Sequence, residues 1–253
     1  MTGDDHVLAR DLAGQAGQRL LELRAQGGDP DVLRKAGDRL SHEFLTAALA
    51  GQRPGDVVLS EEGADNPARL GARRVWIVDP LDGTREFGEP GRSDWAVHVA
   101  LWESDTSDLT AGAVALPAQG TVLSTLEPPP GRPGDEAPAR IRIVVSRSRP
   151  PSFVRNISGL INAELVPLGS AGAKVAAVIC GEVDAYVHGG GFYEWDTAAP
   201  VAVARAAGLH ASRIDGSALA YNQPDLLMPD ILVCRPAVAG ILLRAIREVT
   251  HAS

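Results

Sequence analysis

Apolar positions follow two different periods along this chain. Val7, Leu8, Leu12, Leu20 and Leu23 recur at near-helical spacing, with Asp4 or Asp5 placed to cap the start. Gly27-Gly28-Asp29-Pro30 ends that helix, and a second is predicted over 31–50 with Leu33, Leu40, Phe44 and Ala48 facing inward. Then the period changes. Val57-Val58-Leu59 and Val75-Trp76-Ile77-Val78 are short apolar runs ahead of acidic residues, the pattern of buried strands. Stretches 95–102, 109–116 and 121–126 predict further strands, while the Pro- and Gly-rich stretch 127–134 can neither pair nor coil and is expected as a surface loop. A strand resumes over 141–145. Helices are then predicted over 152–161, 171–180, 197–207 and 236–250, with strands over 164–168 and 184–187. There is no internal repeat. Both halves mix helix with strand, so layered α/β or α+β architecture is expected, as lobes 1–135 and 136–253 packed into one unit.

The composition adds exclusions. Of 253 residues, 45% are apolar and 22% charged, which suits an ordinary globular protein and rules out disorder throughout. No run of about 18 apolar residues could span a membrane. The start, with Asp4, Asp5 and His6, lacks the basic-then-apolar pattern of a signal, so the cytoplasm is the expected compartment. A formal charge of −8 argues against nucleic acid as a partner, because phosphate backbones call for a basic face. Cys180 and Cys234 each sit in an apolar segment and read as buried core thiols. The P-loop, the Rossmann glycine fingerprint and the nucleophile elbow are all missing; His42-Glu43 has no histidine at position 46, and the six histidines lie too far apart for a local zinc site.

The informative segment is Trp76-Ile77-Val78-Asp79-Pro80-Leu81-Asp82-Gly83-Thr84-Arg85-Glu86-Phe87. An apolar strand delivers Asp79 to its carboxyl end, where ligands of layered α/β folds commonly sit. Pro80 is expected to stop the ladder and Gly83 to allow a tight turn. Asp79 and Asp82 can then converge on one cation, with the Leu81 carbonyl as another hard oxygen, a set that suits magnesium. The amides of Gly83 and Thr84 are free to meet a phosphate oxygen. The same residues also suit a plain turn in which both aspartates cap the backbone. Two further segments bring acids: Leu59-Ser60-Glu61-Glu62-Gly63 ends a buried strand with carboxylates, and Glu194-Trp195-Asp196-Thr197-Ala198-Ala199 places an acid at the start of a small-residue helix, where Asp196 reads as a helix cap, a metal ligand or both.

Together, the strand-Asp-Pro-Leu-Asp-Gly-Thr segment and the later Trp-Asp-x-Ala-Ala resemble the signature of the lithium-sensitive, magnesium-dependent inositol monophosphatase superfamily. Leu59-Ser60-Glu61-Glu62, the Arg-Glu-Phe after Asp82-Gly83-Thr84, Val144-Val145-Ser146-Arg147-Ser148, and Gly169-Ser170 through Lys174 are similar to its 3′-phosphoadenosine-5′-phosphate phosphatase branch, of the CysQ kind. The resemblance covers about residues 7–235 and implies a layered α/β/α/β/α sandwich. It implies two or three Mg2+ ions held by Glu61, Asp79, the Leu81 carbonyl, Asp82 and Asp196. Catalysis would fall to Glu61, Thr84 and Asp38, and substrate contact to Gly83, Thr84, Ser146, Arg147, Ser170 and Lys174. Where the family has Thr-x-x-Asp, this chain reads Lys35-Ala36-Gly37-Asp38, so the threonine is missing.

The implied reaction is removal of the 3′-phosphate from 3′-phosphoadenosine 5′-phosphate by metal-activated water, giving AMP and phosphate. Bound cations would reverse the local sign of a site whose own acids repel phosphate. The rivals are the same chemistry on inositol phosphates or fructose 1,6-bisphosphate, or a non-catalytic nucleotide-binding protein. The expected partner is a small phosphate ester, with oligomeric state left open. Gly189-Gly190-Gly191-Phe192-Tyr193 reads either as a mobile loop whose aromatics cover a base or as a simple packed loop, and His188 reads as a satisfied core histidine.

Overall fold

The computed structural model describes residues 2–129, 136–148 and 150–251. Helices α1 (Thr2–Ala25) and α2 (Pro30–Gln52) open the chain. They are followed by β1 (Val57–Ser60), β2 (Arg74–Asp82), the short α3 (Thr84–Gly88), β3 (Ala96–Glu103), β4 (Asp108–Leu116) and β5 (Thr121–Ser124). The second half comprises β6 (Arg142–Ser146), α4 (Ser152–Leu160), β7 (Glu164–Leu168), α5 (Ala171–Ile179), β8 (Ala185–His188), β9 (Phe192–Tyr193), α6 (Glu194–Ala206), β10 (His210–Ser212), β11 (Leu227–Met228), β12 (Ile231–Cys234) and α7 (Pro236–His251). The expected division near residue 135, and most of the expected loop over 127–134, lie outside the described residues.

Five strands form one sheet in the order β1-β2-β3-β4-β5, parallel only between β1 and β2. A second sheet has the order β10-β12-β8-β6-β7, and β9 pairs with β11. Each sheet is covered on both faces, which is why its strands read as continuous apolar runs. On β2, Trp76 and Val78 pack towards Leu12, Leu20 and Leu45 of α1 and α2, whereas Val75 and Ile77 face α5 and α6. On β6 and β12, Ile143 and Leu232 pack against Val154 of α4 and Leu242 of α7, and Val144 and Val233 face the central helices. The layers are therefore α1/α2, first sheet, α5/α6, second sheet, α4/α7: the α/β/α/β/α sandwich. Among the described residues, no helix is long and apolar enough to cross a membrane.

Several local expectations are corrected. Helix α1 starts at Thr2, so Asp4 and Asp5 lie inside it; Asp5 is instead paired with Arg53 at 2.9 Å and Arg74 at 3.0 Å. The fully buried stripe of α2 is Gly37, Ser41, Leu45 and Leu49, while Leu33, Phe44 and Ala48 of the expected set pack half-buried at its edge. Small residues win that face because the contact is close: a Cβ at Gly37 would lie 2.8 Å from Phe87 and 3.0 Å from Leu81. Strand β2 does not end at Pro80. Pairing with β3 breaks between Asp79 and Asp82 and resumes at Asp82, so the proline sits in a bulge. Cys234 is buried, but Cys180 is exposed where α5 ends, and both are free thiols.

Candidate active site

The acids converge where β2 meets the starts of α5 and α6. Asp79 and Asp82 are buried at the end of β2, and one carboxylate oxygen from each lies with one from Asp196 inside a mutual 4.8 Å. The bulge produces this local geometry. Asp79 Oδ1 accepts from the Leu81 amide at 3.0 Å, turning the chain around Pro80 so that Asp82 lies near the same point. Gly83 then takes φ +82°, and a Cβ there would lie 2.9 Å from Ser170. Only glycine meets both demands.

Thr84 Oγ1 lies 3.0 Å from the Leu81 carbonyl oxygen and 3.3 Å from Asp38 Oδ1. Asp38 thus reaches Thr84 without the family threonine. Position 35, where that threonine would stand, is an exposed lysine. Glu61, just past β1, is exposed and stands beside Asp79, outside the cluster of three acids. Asp196 lies in the first turn of α6, whose start is at Glu194, and accepts from the Tyr193 amide at 2.6 Å. It therefore ties down the helix start and faces the cluster, so its two readings are compatible.

The carboxyls differ sharply in how they are held. Burial, then the charges of Glu61, Asp82 and Asp196, push Asp79 well above the carboxylate range. Desolvation among its acidic neighbours pushes Glu61 up to about 7 and Asp196 up to about 6, and desolvation plus Glu62 pushes Asp38 to about 6. Asp82 goes the other way. Its burial would raise it, yet His98, Ser170 and the Gly172 amide hold it down at about 2. Ser170 Oγ donates to Asp82 at 2.5 Å, and the Ala171 and Gly172 amides do so at 3.1 and 2.6 Å. Three hard carboxylates, with the Leu81 carbonyl beside them, fit a divalent cation such as magnesium.

The sequence reading missed His98. It is fully buried on β3, directly opposite Asp79 in the ladder, with Nε2 3.3 Å from Asp82 Oδ2 and Nδ1 3.1 Å from the Trp195 carbonyl. A Cβ at Gly172 would lie 2.1 Å from its Nε2, so that glycine makes its room. A lone polar residue inside the apolar run Ala96–Ala100 was the available signal.

Beside the acids opens a cavity of about 350 Å³, bordered by Asp82, Gly83, Thr84 and Asp196 and by Ser146, Ser148, Ser170 and Lys174. Arg147 borders it too, but its guanidinium is paired with Glu86 at 2.8 Å and Glu89 at 3.1 Å. Lys174 is buried, donates to the Gly169 carbonyl at 2.7 Å and lies 5.4 Å over the Tyr186 ring. Arg85, which the sequence reading left without a role, is exposed on the cavity wall and has no ion pair or hydrogen bond among the described residues. Phe192 and Tyr193 are a short strand paired with Leu227 and Met228, the packed alternative; Phe192 borders the cavity, and Tyr193 stacks on Trp195 at 4.9 Å. His188 is not a satisfied core residue. It borders the cavity, and its buried Nδ1 lacks a hydrogen bond.

The sequence model of the inositol monophosphatase family matches residues 11–251. The chain is 51% identical, over 255 aligned positions, to a Mycobacterium leprae (strain TN) protein named 3′-phosphoadenosine 5′-phosphate phosphatase, covering 97% of this chain and 94% of that one. It is similar to the solved CysQ of Bacteroides thetaiotaomicron, with TM-score 0.78, 28% identity, and 92% and 97% of the two chains covered. Inositol monophosphatase II of Staphylococcus aureus shares the fold, with TM-score 0.83, 21% identity, and 97% and 96% covered. Sequence match and five-layer fold agree over nearly the whole length, and the chain belongs to the inositol monophosphatase family.

Proposed function

We propose that this protein is a Mg2+-dependent phosphomonoesterase that hydrolyses the 3′-phosphate of 3′-phosphoadenosine 5′-phosphate, giving AMP and phosphate. The observation that carries the reading is the Asp79, Asp82 and Asp196 cluster opening onto a cavity large enough for a nucleotide. The name borne by the 51% identical Mycobacterium leprae relative supports the substrate. Free thiols fit a reducing compartment such as the cytoplasm.

Asp79, Asp82, Asp196 and Glu61 would hold the cation, with the Leu81 carbonyl as a further ligand. Bound there, magnesium supplies Lewis acidity, lowering the pKa of water and neutralising charge on the leaving oxygen. The chain's own part is positioning, the main demand of phosphoryl transfer. Glu61 and the Thr84 hydroxyl orient the attacking water, and Asp38 fixes Thr84. The Gly83 and Thr84 amides face the phosphate being removed. Arg85, carrying an unpaired charge at the cavity wall, suits the second phosphate better than Arg147, which two glutamates already neutralise. Ser146 and Lys174 complete the lining.

The test is phosphate release from 3′-phosphoadenosine 5′-phosphate, inositol 1-phosphate and fructose 1,6-bisphosphate, with magnesium, with chelator and with lithium. A magnesium-dependent kcat/KM preference of about a hundredfold for the nucleotide is expected. Equal or better turnover of inositol or sugar phosphate would sink the substrate assignment. No turnover of any of the three would sink the enzyme reading.

A further inference from the structure

The cavity lining carries two chemically distinct sets of groups. Thr84, Gly83 and the unpaired Arg85 make one set anion-seeking. The other is aromatic: His188 stands edge-on to Phe192, with ring centroids 5.2 Å apart and planes at 65°, and 6.1 Å from Tyr186. His188 ends β8 and is partly exposed to the cavity. Neither of its ring nitrogens has a hydrogen-bond partner among the described residues, and Nδ1 is buried. A buried polar atom left unpaired is costly and uncommon in a finished site. The adjoining loop holds this wall rigidly: a Cβ at Gly190 would lie 2.2 Å from the Pro229 carbonyl oxygen, so that loop sits directly on its neighbour. A Cβ at Gly191, by contrast, would meet nothing within 4 Å, which leaves room beside Phe192.

Building on the nucleotide reading above, we infer that His188 is a specificity-determining residue: with Phe192 it forms the wall that receives the purine ring, and its unpaired imidazole edge hydrogen-bonds the base. A purine offers a flat apolar face and a polar edge, matching this wall. An inositol or sugar ring is puckered and carries hydroxyls all round, and it offers no such face. Burial and the nearby Lys174 hold the imidazole down at about 4, so at neutral pH it is uncharged. A neutral imidazole can both donate and accept, which suits a base edge and does not attract a third phosphate.

The test compares wild type with His188→Phe, which keeps an aromatic ring and removes both nitrogens, His188→Ala and His188→Gln. Each is assayed at saturating magnesium on 3′-phosphoadenosine 5′-phosphate and on base-free 1-O-methylribose 3,5-bisphosphate. For the nucleotide, kcat/KM should fall about tenfold in His188→Phe, mainly through KM, and further in His188→Ala, while His188→Gln recovers part of the loss. Turnover of the base-free ester should stay within about twofold of wild type, and it serves as the check on folding. A parallel loss on both substrates, or an unchanged nucleotide KM, would overturn the assignment of His188 while leaving the nucleotide reading intact. A wild-type enzyme that prefers the base-free ester would overturn both.

Discussion

Removing the cation should make this protein less stable as the solution becomes more alkaline, through the neutral range. Asp79 is 1% exposed and held well above the carboxylate range by its burial and by Glu61, Asp82 and Asp196. Glu61, beside it, is held at about 7. The pair therefore holds a proton more tightly than an unfolded chain, whose carboxyls titrate near 4. A carboxyl raised in the folded state gives stability that is complete at low pH and lost as pH rises through the folded value. One excess proton corresponds to about 1.4 kcal/mol per pH unit. His98, also raised, acts in the same direction. His188, at about 4, and His210, lowered by burial, act oppositely, but only below about pH 6.5, where an unfolded histidine takes up its proton.

The window to examine is therefore pH 7 to 8. Chelated protein should lose up to about 1.4 kcal/mol across it, less what solvent screens at the exposed Glu61, or at most about 5 °C in Tm for a chain of this size. Magnesium must displace the same proton, so its affinity should rise by up to about tenfold over that window. Thermal melts in chelator at pH 7, 7.5 and 8 measure the first. Calorimetric titration of magnesium in two buffers of different ionisation enthalpy counts the proton. A flat or rising Tm, with no proton released, would refute the reasoning.

His98→Asn should raise about tenfold the magnesium concentration needed for half-maximal thermal stabilisation, because Asp82 loses the group that orients it; an unchanged midpoint would count against that role. Gly83→Ala forces a side chain into φ +82° and against Ser170, and should cost about 1–3 kcal/mol in urea unfolding. Cys234→Ser puts a hydroxyl into the apolar contact between β12 and α7 and should cost about 1–3 kcal/mol, whereas Cys180→Ser, on an exposed residue, should change stability by less than about 0.5 kcal/mol. Equal losses for the two serines would show that the core assignment is wrong.

What the sequence discloses about the site depends on how far apart the interacting residues stand in the chain. The Asp79–Leu81 turn and the left-handed Gly83 lie within five positions, so local chemistry alone predicts them, whereas the bulge at Pro80 needs the β3 partner that takes up pairing again at Asp82. A hydrophobic stripe on α2 points to Leu33, Phe44 and Ala48, which pack half-buried at the edge, whereas the close approach to Phe87 and Leu81 selects Gly37 for smallness at the centre of the face. His98 faces Asp79 only through the register of β2 on β3, which a 13-residue connection does not encode locally. The pairing of Arg147 is equally invisible locally, because its two glutamates come from about sixty positions earlier.

The two aspartates of one short motif end up with opposite electrostatics, and this difference suggests how the site works. Asp82 receives the first amides of α5, the Ser170 hydroxyl and His98, so it remains an anion whether or not a cation is near. Asp79, three residues earlier on the same strand, has one amide donor, from Leu81, and three acidic neighbours. Environments that drive neighbouring acids apart in this way mark a division of roles. Asp82, oriented and kept charged by these donors, would be the fixed anchor of the proposed cation site. Asp79 and Glu61 hold the exchangeable proton, which lowers repulsion among four clustered acids until a cation replaces it. Had all four been held like Asp82, the empty site would strain the junction of both sheets; had all been held like Asp79, a cation would have to displace several protons to bind. On the proposed reading, one anchored acid beside a proton-sharing pair would let the site fold without metal and still bind it at neutral pH.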